Sequence, residues 1–394
     1  MSIRGGANVR VAMFVDWFFP YTAGIANALA DRAEVLMVVR EHGQELGITE
    51  GVAGAMRSLI DDRVGVAFLG GKQRDPWSAV HVERLSSVLL RFRPDVLHIQ
   101  YHADWRLFAL ERVLRGVPTL YTVHDVVLHP TNPEAKPSAA TRIRHSLLGT
   151  IVRGSRGPAN AYVVHGQHLA DLMRMQEWYN DAPINVIPHG TFPYGTSNKP
   201  LPQRPTILFF GRIEYYKGLD ILIEAAELAS ASLPDLGVII AGRGDDAARC
   251  RRLVTKPGLF EWREGYVRYD RLGPLFSEAS IVVLPYREAS QSGVIPLALQ
   301  FGRAVIATDV GALSEAVDDG RDGILLRHVS AESLCCAMVR VLSDREALTR
   351  LSNGAFDTVT TGRLKPERIG DLHLEACRRV VSSSKRAPVS GSAS

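Results

Sequence analysis

The feature that most constrains this chain of 394 residues is a repeated alternation of short apolar runs with longer helical patterns. Continuous apolar runs rich in β-branched residues are typical of buried parallel strands, and the helices between them act as crossover connections. In the first half, strand-like runs cover residues 9–15, 33–39, 64–69, 95–100, 119–123, 161–164 and 184–188, with helical patterns at 79–92 and 106–115. In the second half, strand-like runs cover residues 206–211, 237–241, 281–285, 304–308 and 323–326, with a helical pattern at 219–232. Two such series predict an α/β protein of two doubly wound, Rossmann-like domains that face each other across a cleft.

A segment without apolar periodicity separates the two series. Residues 192–205 contain four prolines and one glycine, which is typical of a linker. We therefore predict an N-terminal Rossmann-like domain over 1–194 and a C-terminal Rossmann-like domain over 195–365. A final helix over 366–381 is a candidate to return to the first domain, and the Ser-, Ala- and Gly-rich tail 382–394 is predicted to be disordered.

Charge and cysteine content argue against several classes of protein. The net charge is +4, without the dense basic stripe and interleaved aromatic residues of nucleic-acid binders, so no nucleic-acid partner is predicted. The four cysteines, Cys250, Cys335, Cys336 and Cys377, form no CxxC pair and have no histidine at metal spacing, which predicts reduced thiols.

No signal peptide opens the chain, and no run reaches the roughly 18–20 apolar residues of a membrane span. We therefore predict a cytoplasmic protein.

One basic stretch suggests a membrane surface. Residues 136–156 contain five Lys or Arg residues, no acidic residue and interleaved apolar side chains. A basic amphipathic helix can lie on anionic lipid at the inner membrane face. The alternative is a solvated helix of the first domain with its apolar side packed inward.

The clearest chemical signal is the segment 209–218, Phe-Phe-Gly-Arg-Ile-Glu-Tyr-Tyr-Lys-Gly. A strand ends at Gly211, and Arg212 and Lys217 follow before the next helix. Two cations above a strand end can neutralise a diphosphate and stabilise it as a leaving group. The alternative is an ordinary βα loop with two surface cations.

A second signal lies in residues 284–296. A strand ends at Pro285, and a helix is predicted to begin near Gly293 with Ser292 as its N-cap. Pro296 fits the first helical turn, where backbone N–H groups have no partner. Those N–H groups form an anion site, although a plainly capped helix explains the pattern as well.

Two further strand ends carry turn residues. Residues 307–315 follow a strand, and residues 241–245, Ala-Gly-Arg-Gly-Asp, resemble a dinucleotide-binding loop. A dinucleotide fingerprint needs a third glycine where this chain has Ala247, so NAD binding is not predicted.

Together these segments resemble the GT-B fold retaining glycosyltransferases of family 4 (glycosyltransferase group 1), most closely over residues 206–326 and more loosely over the N-terminal half. The resemblance implies that the N-terminal domain binds the acceptor and that the C-terminal domain binds the nucleotide-sugar donor. It further implies that Gly211, Arg212 and Lys217 contact the donor diphosphate. It also implies that backbone groups of Gly265, Tyr266 and Val267 bind the nucleotide base. It further implies a donor-binding turn, the donor turn, formed by Ser290, Gln291, Ser292, Gly293 and Val294.

The N-terminal half resembles the family at three strand ends. Residues 20–24 stand where the family has a glycine-containing loop near the donor phosphates, so the resemblance implies a donor contact for Gly24. Residues 121–125 resemble the family's TxHD motif, which implies that His124 contacts the transferred sugar or its phosphate. Residues 187–190 resemble its IPxG segment. A structural role for His124 stays the alternative.

The chain departs from the family at its paired glutamates, which often lie eight residues apart. If Glu288 is taken as the first glutamate, the second site is occupied by Pro296. If the motif is instead aligned from Gly302 at the end of the helix, the two sites are occupied by Ala289 and Leu297. The second glutamate, expected on the nucleotide ribose, is therefore absent. Glu288 stays a candidate catalytic residue, one position out of register.

The resemblance implies a transfer that needs no metal or other cofactor. The acceptor hydroxyl would attack the anomeric carbon on the face from which the nucleotide leaves, with Arg212 and Lys217 in place of a metal. The expected partners are a nucleotide sugar that donates a hexose-type sugar and a sugar, lipid-linked or small-molecule acceptor, in cell-surface polysaccharide or glycolipid synthesis. An epimerase or phosphorylase of the same fold and a catalytically silent scaffold stay open as alternatives.

Overall fold

The computed structural model describes residues 8–71, 78–100, 104–126 and 159–386. The basic stretch at 136–156 lies outside these residues. In the part of the chain that is described, no helix combines the length and the apolar character needed to cross a bilayer.

The first sheet has seven strands in the order β3-β2-β1-β4-β5-β6-β7, and all of its pairings are parallel. Its strands are β1 (Arg10–Val15), β2 (Glu34–Arg40), β3 (Gly65–Leu69), β4 (Val96–Ile99), β5 (Thr119–Thr122), β6 (Ala161–Val164) and β7 (Ile184–Val186). Among the described residues, the helices of this domain are α1 (Phe19–Leu29), α2 (Val52–Ser58), α3 (Ser78–Phe92), α4 (Trp105–Val113) and α5 (Gln167–Arg174). The strand order reverses between β1 and β4, which places a crevice at the carboxyl ends of these two strands.

The second sheet has six parallel strands in the order β10-β9-β8-β11-β12-β13. Its strands are β8 (Thr206–Phe210), β9 (Gly237–Gly242), β10 (Phe260–Glu264), β11 (Ile281–Leu284), β12 (Val305–Thr308) and β13 (Gly323–Leu326). The helices are α6 (Leu219–Ala229), α7 (Ala247–Leu253), α8 (Leu272–Ser277), α9 (Val294–Gln300), α10 (Leu313–Ala316), α11 (Ala331–Ser343), α12 (Arg345–Thr360) and α13 (Pro366–Arg386). The predicted α/β architecture with two parallel sheets is confirmed. The order reverses between β8 and β11, so the two strongest sequence signals flank the second crevice.

Strand β10 is absent from the sequence prediction. Phe260–Glu264 alternates apolar and charged residues and is partly exposed at the edge of the sheet. The prediction searched for continuous apolar runs, which mark strands buried on both faces. An edge strand with one solvated face does not produce that signal.

The final helix returns to the first sheet. Helix α13 packs against α1, β4 and β5. It also ends at Arg386, so the prediction that disorder begins at residue 382 is wrong for 382–386. The hydroxyls of Ser382 and Ser383 donate to the carbonyls of Arg378 and Arg379, each at 2.8 Å, which satisfies these polar side chains on a helix. Residues 387–394 lie outside the described part.

Two side chains of the second domain hold the linker between β7 and β8. Gln300 exchanges two 2.9 Å hydrogen bonds with the backbone of Phe192. Arg303 is fully buried and donates to backbone carbonyls, including that of Lys199 at 3.0 Å. Burial lowers the pKa of Arg303 to about 10. The linker is thus fixed on the second domain by one side chain at the end of α9 and one just after it.

Candidate active site

The loop after β8 places a lysine side chain inside the protein. Lys217 is 8% exposed, and its Nζ lies 5.0 Å from the centre of the Tyr286 ring. A Cβ added at Gly211, whose φ is +112°, would lie 3.4 Å from this Nζ, so the glycine leaves room for the ammonium. Burial lowers the pKa of Lys217, and the nearby charge of Arg212 lowers it further.

The second predicted cation occupies the rim of the same site. Arg212 is exposed, one residue after Gly211. Its charge acts on both Lys217 and Tyr286, and Asp125 from the first domain acts on Lys217 as well. The structure therefore brings the two predicted cations together and sets them opposite the strand end that carries His124.

The turn between β11 and α9 contains buried polar atoms without partners. Ser290 Oγ and Gln291 Oε1 are inaccessible to solvent and have no hydrogen-bond partner within the described residues. The side chain of Glu288, in the same turn, is exposed. An unsatisfied buried polar atom costs about 1–3 kcal/mol, so such atoms are rare outside functional sites.

The N-terminus of α9 differs slightly from the prediction. The N-cap is Gly293, one residue later than predicted, although the hydroxyl of Ser292 still accepts the Val294 N–H at 3.3 Å. A Cβ added at Gly293 would lie 3.4 Å from His189 Nε2 and 3.3 Å from the Phe192 ring. The absence of a side chain lets the turn between β11 and α9 approach His189 and Phe192 closely.

His124 is fixed on several sides. Its ring stacks on Phe18 with centroids 3.7 Å apart. Its Nε2 lies 3.0 Å from Gln100 Oε1, and its Nδ1 lies 3.2 Å from His165 Nε2. His165 Nδ1 in turn lies 3.1 Å from the carbonyl oxygen of Ile187. A side chain held by stacking and by both ring nitrogens has one orientation.

His124 belongs to a group of buried histidines that sequence reasoning missed. The histidine cluster consists of His98, His124, His165, His189 and His373, arranged around Tyr21. The first four lie in or just after the successive strands β4 to β7, and the fifth comes from α13. A histidine at the end of each of four predicted parallel strands was the available signal, because such ends meet at one edge of a sheet.

Burial makes these histidines poor bases. It lowers the pKa of His98 to about 4, of His165 to about 4 and of His189 to about 3. Burial, and then the neighbouring histidines, lower the pKa of His124 and of His373 well below the ordinary value. The cluster is therefore neutral at pH 7.

The segment predicted to grip the base lies at the domain contact. Gly265 has a φ of +112°, and the Tyr266 ring lies 4.2 Å from the Arg243 guanidinium carbon. Gln44 of the first domain donates to the Tyr266 hydroxyl at 2.5 Å. A Cβ added at Gly47 would lie 2.7 Å from the Val267 carbonyl oxygen, so this loop touches the first domain directly.

The prediction of a glycine loop at 20–24 is wrong. These residues lie in α1, and a Cβ added at Gly24 would lie 2.5 Å from the Thr191 carbonyl oxygen. Gly24 therefore serves close helix packing. The carboxylate of Glu45 accepts from the N–H groups of Phe18 and Phe19 at 2.8 and 3.0 Å and caps α1 instead. Burial raises the pKa of Glu45 to about 7.

Metal ligands were not predicted for this chain. Within the ranges that the structure covers, no group of three His, Cys, Asp or Glu side chains is arranged to hold a metal ion.

Comparison with known proteins places this geometry in a family. A model described as Glycosyltransferase Family 4 matches residues 20–191, and one described as Glycosyl transferases group 1 matches residues 204–344. An alpha-D-kanosaminyltransferase of Streptomyces kanamyceticus is 29% identical over 157 residues, which are 39% of this chain and 41% of that enzyme, less than half of its length. A phosphatidyl-myo-inositol mannosyltransferase of Mycolicibacterium smegmatis is 25% identical over 362 residues, 85% of each protein.

The fold comparison agrees with these matches. The structure of Anabaena HepE in complex with UDP-glucose superposes with a TM-score of 0.64 at 17% sequence identity, over 95% of this chain and 99% of HepE. Two family models that together cover most of the sequence, and a common fold over nearly its whole length, lead to one assignment. The chain belongs to the group 1 glycosyltransferases of family 4, which have the GT-B fold.

Proposed function

We propose that this protein is a metal-independent, retaining transferase that moves a hexose-type sugar from a nucleotide-sugar donor to a hydroxyl acceptor. The observation that carries the proposal is the buried Lys217. Among the described residues, no carboxylate lies within ion-pairing distance of its Nζ, although the ammonium is almost completely removed from water.

Glu214 and Asp125 act on Lys217 only from beyond ion-pairing distance. A buried cation without a direct ion pair is costly unless an anion completes the site. A donor diphosphate above Gly211 would supply that anion and would shift the pKa of Lys217 back upwards. The exposed Arg212 would meet the same diphosphate from the rim. Both cations act most strongly when negative charge grows on the departing group, which is the electrostatic contribution that accelerates transfer.

Ser290 and Gln291 are proposed to contact the transferred sugar. Their unpartnered Oγ and Oε1 offer hydrogen bonds to sugar hydroxyls, at the turn where the family often has a glutamate and this chain has Ala289. Glu288 stays a candidate catalytic residue, and its exposed side chain makes it the weaker one.

His124 would meet the sugar from the first domain. Because it is neutral, it can hydrogen-bond a hydroxyl without adding charge next to the anomeric carbon. Retention of configuration is supported by the family assignment. In that course the acceptor oxygen forms the new glycosidic bond on the face from which the diphosphate leaves with the bonding electrons, and the hydroxyl proton passes to the departing diphosphate.

The names of the similar proteins guide the substrates proposed. HepE was crystallised with UDP-glucose, and the mycobacterial relative is named a mannosyltransferase that acts on phosphatidyl-myo-inositol. For this chain we infer a sugar, lipid-linked or small-molecule acceptor, with a role in cell-surface polysaccharide or glycolipid synthesis. A cytoplasmic location with peripheral membrane contact through residues 136–156 is part of the same proposal.

The test is a panel of UDP-, GDP-, TDP- and ADP-sugars, measured by thermal shift and by donor hydrolysis, with and without EDTA. A donor at 100 times its Kd stabilises the fold by about 2.7 kcal/mol. One nucleotide sugar should stabilise the wild type in EDTA and fail to stabilise Arg212→Ala and Lys217→Met. Proton NMR of the product then reports whether the anomeric configuration is retained.

Three results would count against the proposal. Binding that EDTA abolishes would contradict metal independence, and an inverted product would contradict retention. Failure of every donor to bind would favour a catalytically silent scaffold.

A further inference from the structure

The two domains meet at a contact formed by a carboxylate and a helix end. Glu315, in α10 of the second domain, accepts hydrogen bonds from the N–H groups of Gln167 and His168 at 2.5 and 2.7 Å. These are the first two residues of α5 in the first domain. The N-cap of α5 is Gly166, which has no side chain to offer, so the carboxylate of the other domain satisfies the N–H groups that the helix leaves unpaired.

The same contact has an apolar half. A Cβ added at Gly166 would lie 2.9 Å from the Ala312 Cβ and 3.1 Å from each carboxylate oxygen of Glu315. Ala312 is 2% exposed and packs into the hydrophobic cluster of the first domain that contains Val164 and Leu169. We call this combination of Glu315, Ala312 and the N-terminus of α5 the Glu315 contact.

Both sides of the Glu315 contact lead directly to the candidate site. On the second domain, a Cβ added at Gly311 would lie 1.7 Å from the Ala289 carbonyl oxygen, so the turn before Ala312 is packed on the donor turn. On the first domain, His165 precedes Gly166, and its ring is bonded to His124. The Glu315 contact thus lies next to both parts of the site. On the second domain, Gly311 separates Ala312 from the backbone of Ala289, immediately before the donor turn. On the first domain, Gly166 is bonded directly to His165, whose ring contacts His124.

We propose that Glu315 is a positioning residue, which holds the donor turn against His165 and His124 and so sets the closed geometry of the cleft. It acts through backbone groups and is not proposed to touch the donor. The catalytic meaning of this geometry rests on the proposed function, whereas the effect of Glu315 on the closure of the two domains does not.

The first variant is Glu315→Gln, which keeps the size of the side chain and removes the charge. An amide has a single oxygen, so it cannot accept from two N–H groups with two oxygens as the carboxylate does. We expect the ratio of closed to open molecules to fall about 5- to 30-fold. Small-angle X-ray scattering of the ligand-free protein should then show a larger radius of gyration.

Glu227→Gln is the matched control. The Glu227 carboxylate also accepts from two successive N–H groups, those of Thr255 and Lys256 at 2.6 and 2.9 Å, but all three residues belong to the second domain. This variant loses the same type of interaction without touching the domain contact. Its radius of gyration should equal that of the wild type.

Gly166→Ala disturbs the contact in a second way that leaves Glu315 intact. Gly166 has a φ of −168°, which alanine adopts freely, so the added methyl group acts only by pressing on Ala312 and Glu315. This variant should also raise the radius of gyration. With the nucleotide sugar that the panel identifies, both contact variants should lower kcat about 10-fold or more and change the donor KM less than kcat, because the donor is held mainly by the second domain.

Glu315→Gln and Gly166→Ala with the radius of gyration of the wild type would overturn the proposal, even if both melt at a lower temperature. That outcome would leave Glu315 as a simple helix cap. If the wild type transfers no sugar at all, the proposed function fails, and the scattering comparison still decides whether Glu315 closes the domains.

Discussion

The buried histidine cluster predicts a steep loss of stability in mild acid. The pKa of His98 and of His165 is about 4 and that of His189 is about 3, whereas an unfolded histidine has a pKa of about 6.5. Between these values the unfolded chain binds protons that the folded protein does not. The stability is therefore complete above pH 6.5 and falls as the pH drops towards 4.

The size of the effect follows from one proton per histidine. A shift of one pKa unit corresponds to 1.36 kcal/mol, so lowering the pH from 6.5 to 5.0 costs about 2 kcal/mol for each histidine that stays neutral in the fold. His98, His165 and His189 together give about 6 kcal/mol, and His124 and His373 act in the same direction. Glu45 acts in the opposite direction and offsets about 2 kcal/mol, because its pKa of about 7 lets the folded protein bind a proton that the unfolded chain does not. Domains are stabilised by only about 5–15 kcal/mol, so the first domain should approach unfolding near pH 5.

The assay is urea unfolding at several pH values between 5.0 and 6.5, followed by circular dichroism. The slope of the unfolding free energy against pH should correspond to about two to four protons, because the proton bound by Glu45 in the folded protein subtracts about one from the histidine total. His373→Leu should reduce this slope by about one proton, because it removes one buried histidine. Among the described residues, Nδ1 of His373 has no hydrogen-bond partner. His328→Leu, at an exposed position, is the control and should leave the slope unchanged. A wild-type slope of less than one proton would refute this reasoning.

Three further substitutions test the site and its packing. Lys217→Met should lower the transfer rate about 10²–10³-fold, because a cation that stabilises the leaving group is lost. It should also raise the melting temperature of the donor-free protein, because a desolvated charge is removed. Initial rates and thermal shift measure the two effects, and an unchanged rate would contradict the role of Lys217. Ser290→Ala should raise the unfolding free energy by about 1 kcal/mol in urea titration while weakening donor binding in calorimetry, and unaltered donor affinity would exclude the proposed sugar contact. Gly24→Ala should destabilise the protein by about 1–3 kcal/mol, because the new methyl group clashes with Thr191. Gly54→Ala is the control, because no atom lies within 4 Å of its new Cβ. In the same urea titration it should be neutral or stabilising by up to about 1 kcal/mol. Equal effects of the two glycine substitutions would refute the packing role of Gly24.

Local sequence patterns determined the two parallel sheets and the part of the candidate site that lies in the loop after β8. Buried parallel strands are apolar on both faces, so runs such as 9–15 and 281–285 identify them without knowledge of their neighbours. The cations Arg212 and Lys217 could be placed at the same strand end because they follow β8 within one short loop. Gly24 shows the limit of this reasoning, since the sequence supplied a glycine near a strand end but not the helix that begins at Phe19.

Tertiary structure alone decided the features that join distant parts of the chain. The histidine cluster brings His373 of the last helix next to His98, and the Glu315 contact joins residues 147 positions apart in sequence. Such pairs have no periodic signature, because hydrogen bonding and burial depend on where crossover helices return the chain. The sequence by itself therefore determined the strands, the two sheets and the chemistry offered by single loops. The contact between the two domains, the neutral state of the histidines and the buried position of Lys217 were decided by packing between segments that are distant in sequence.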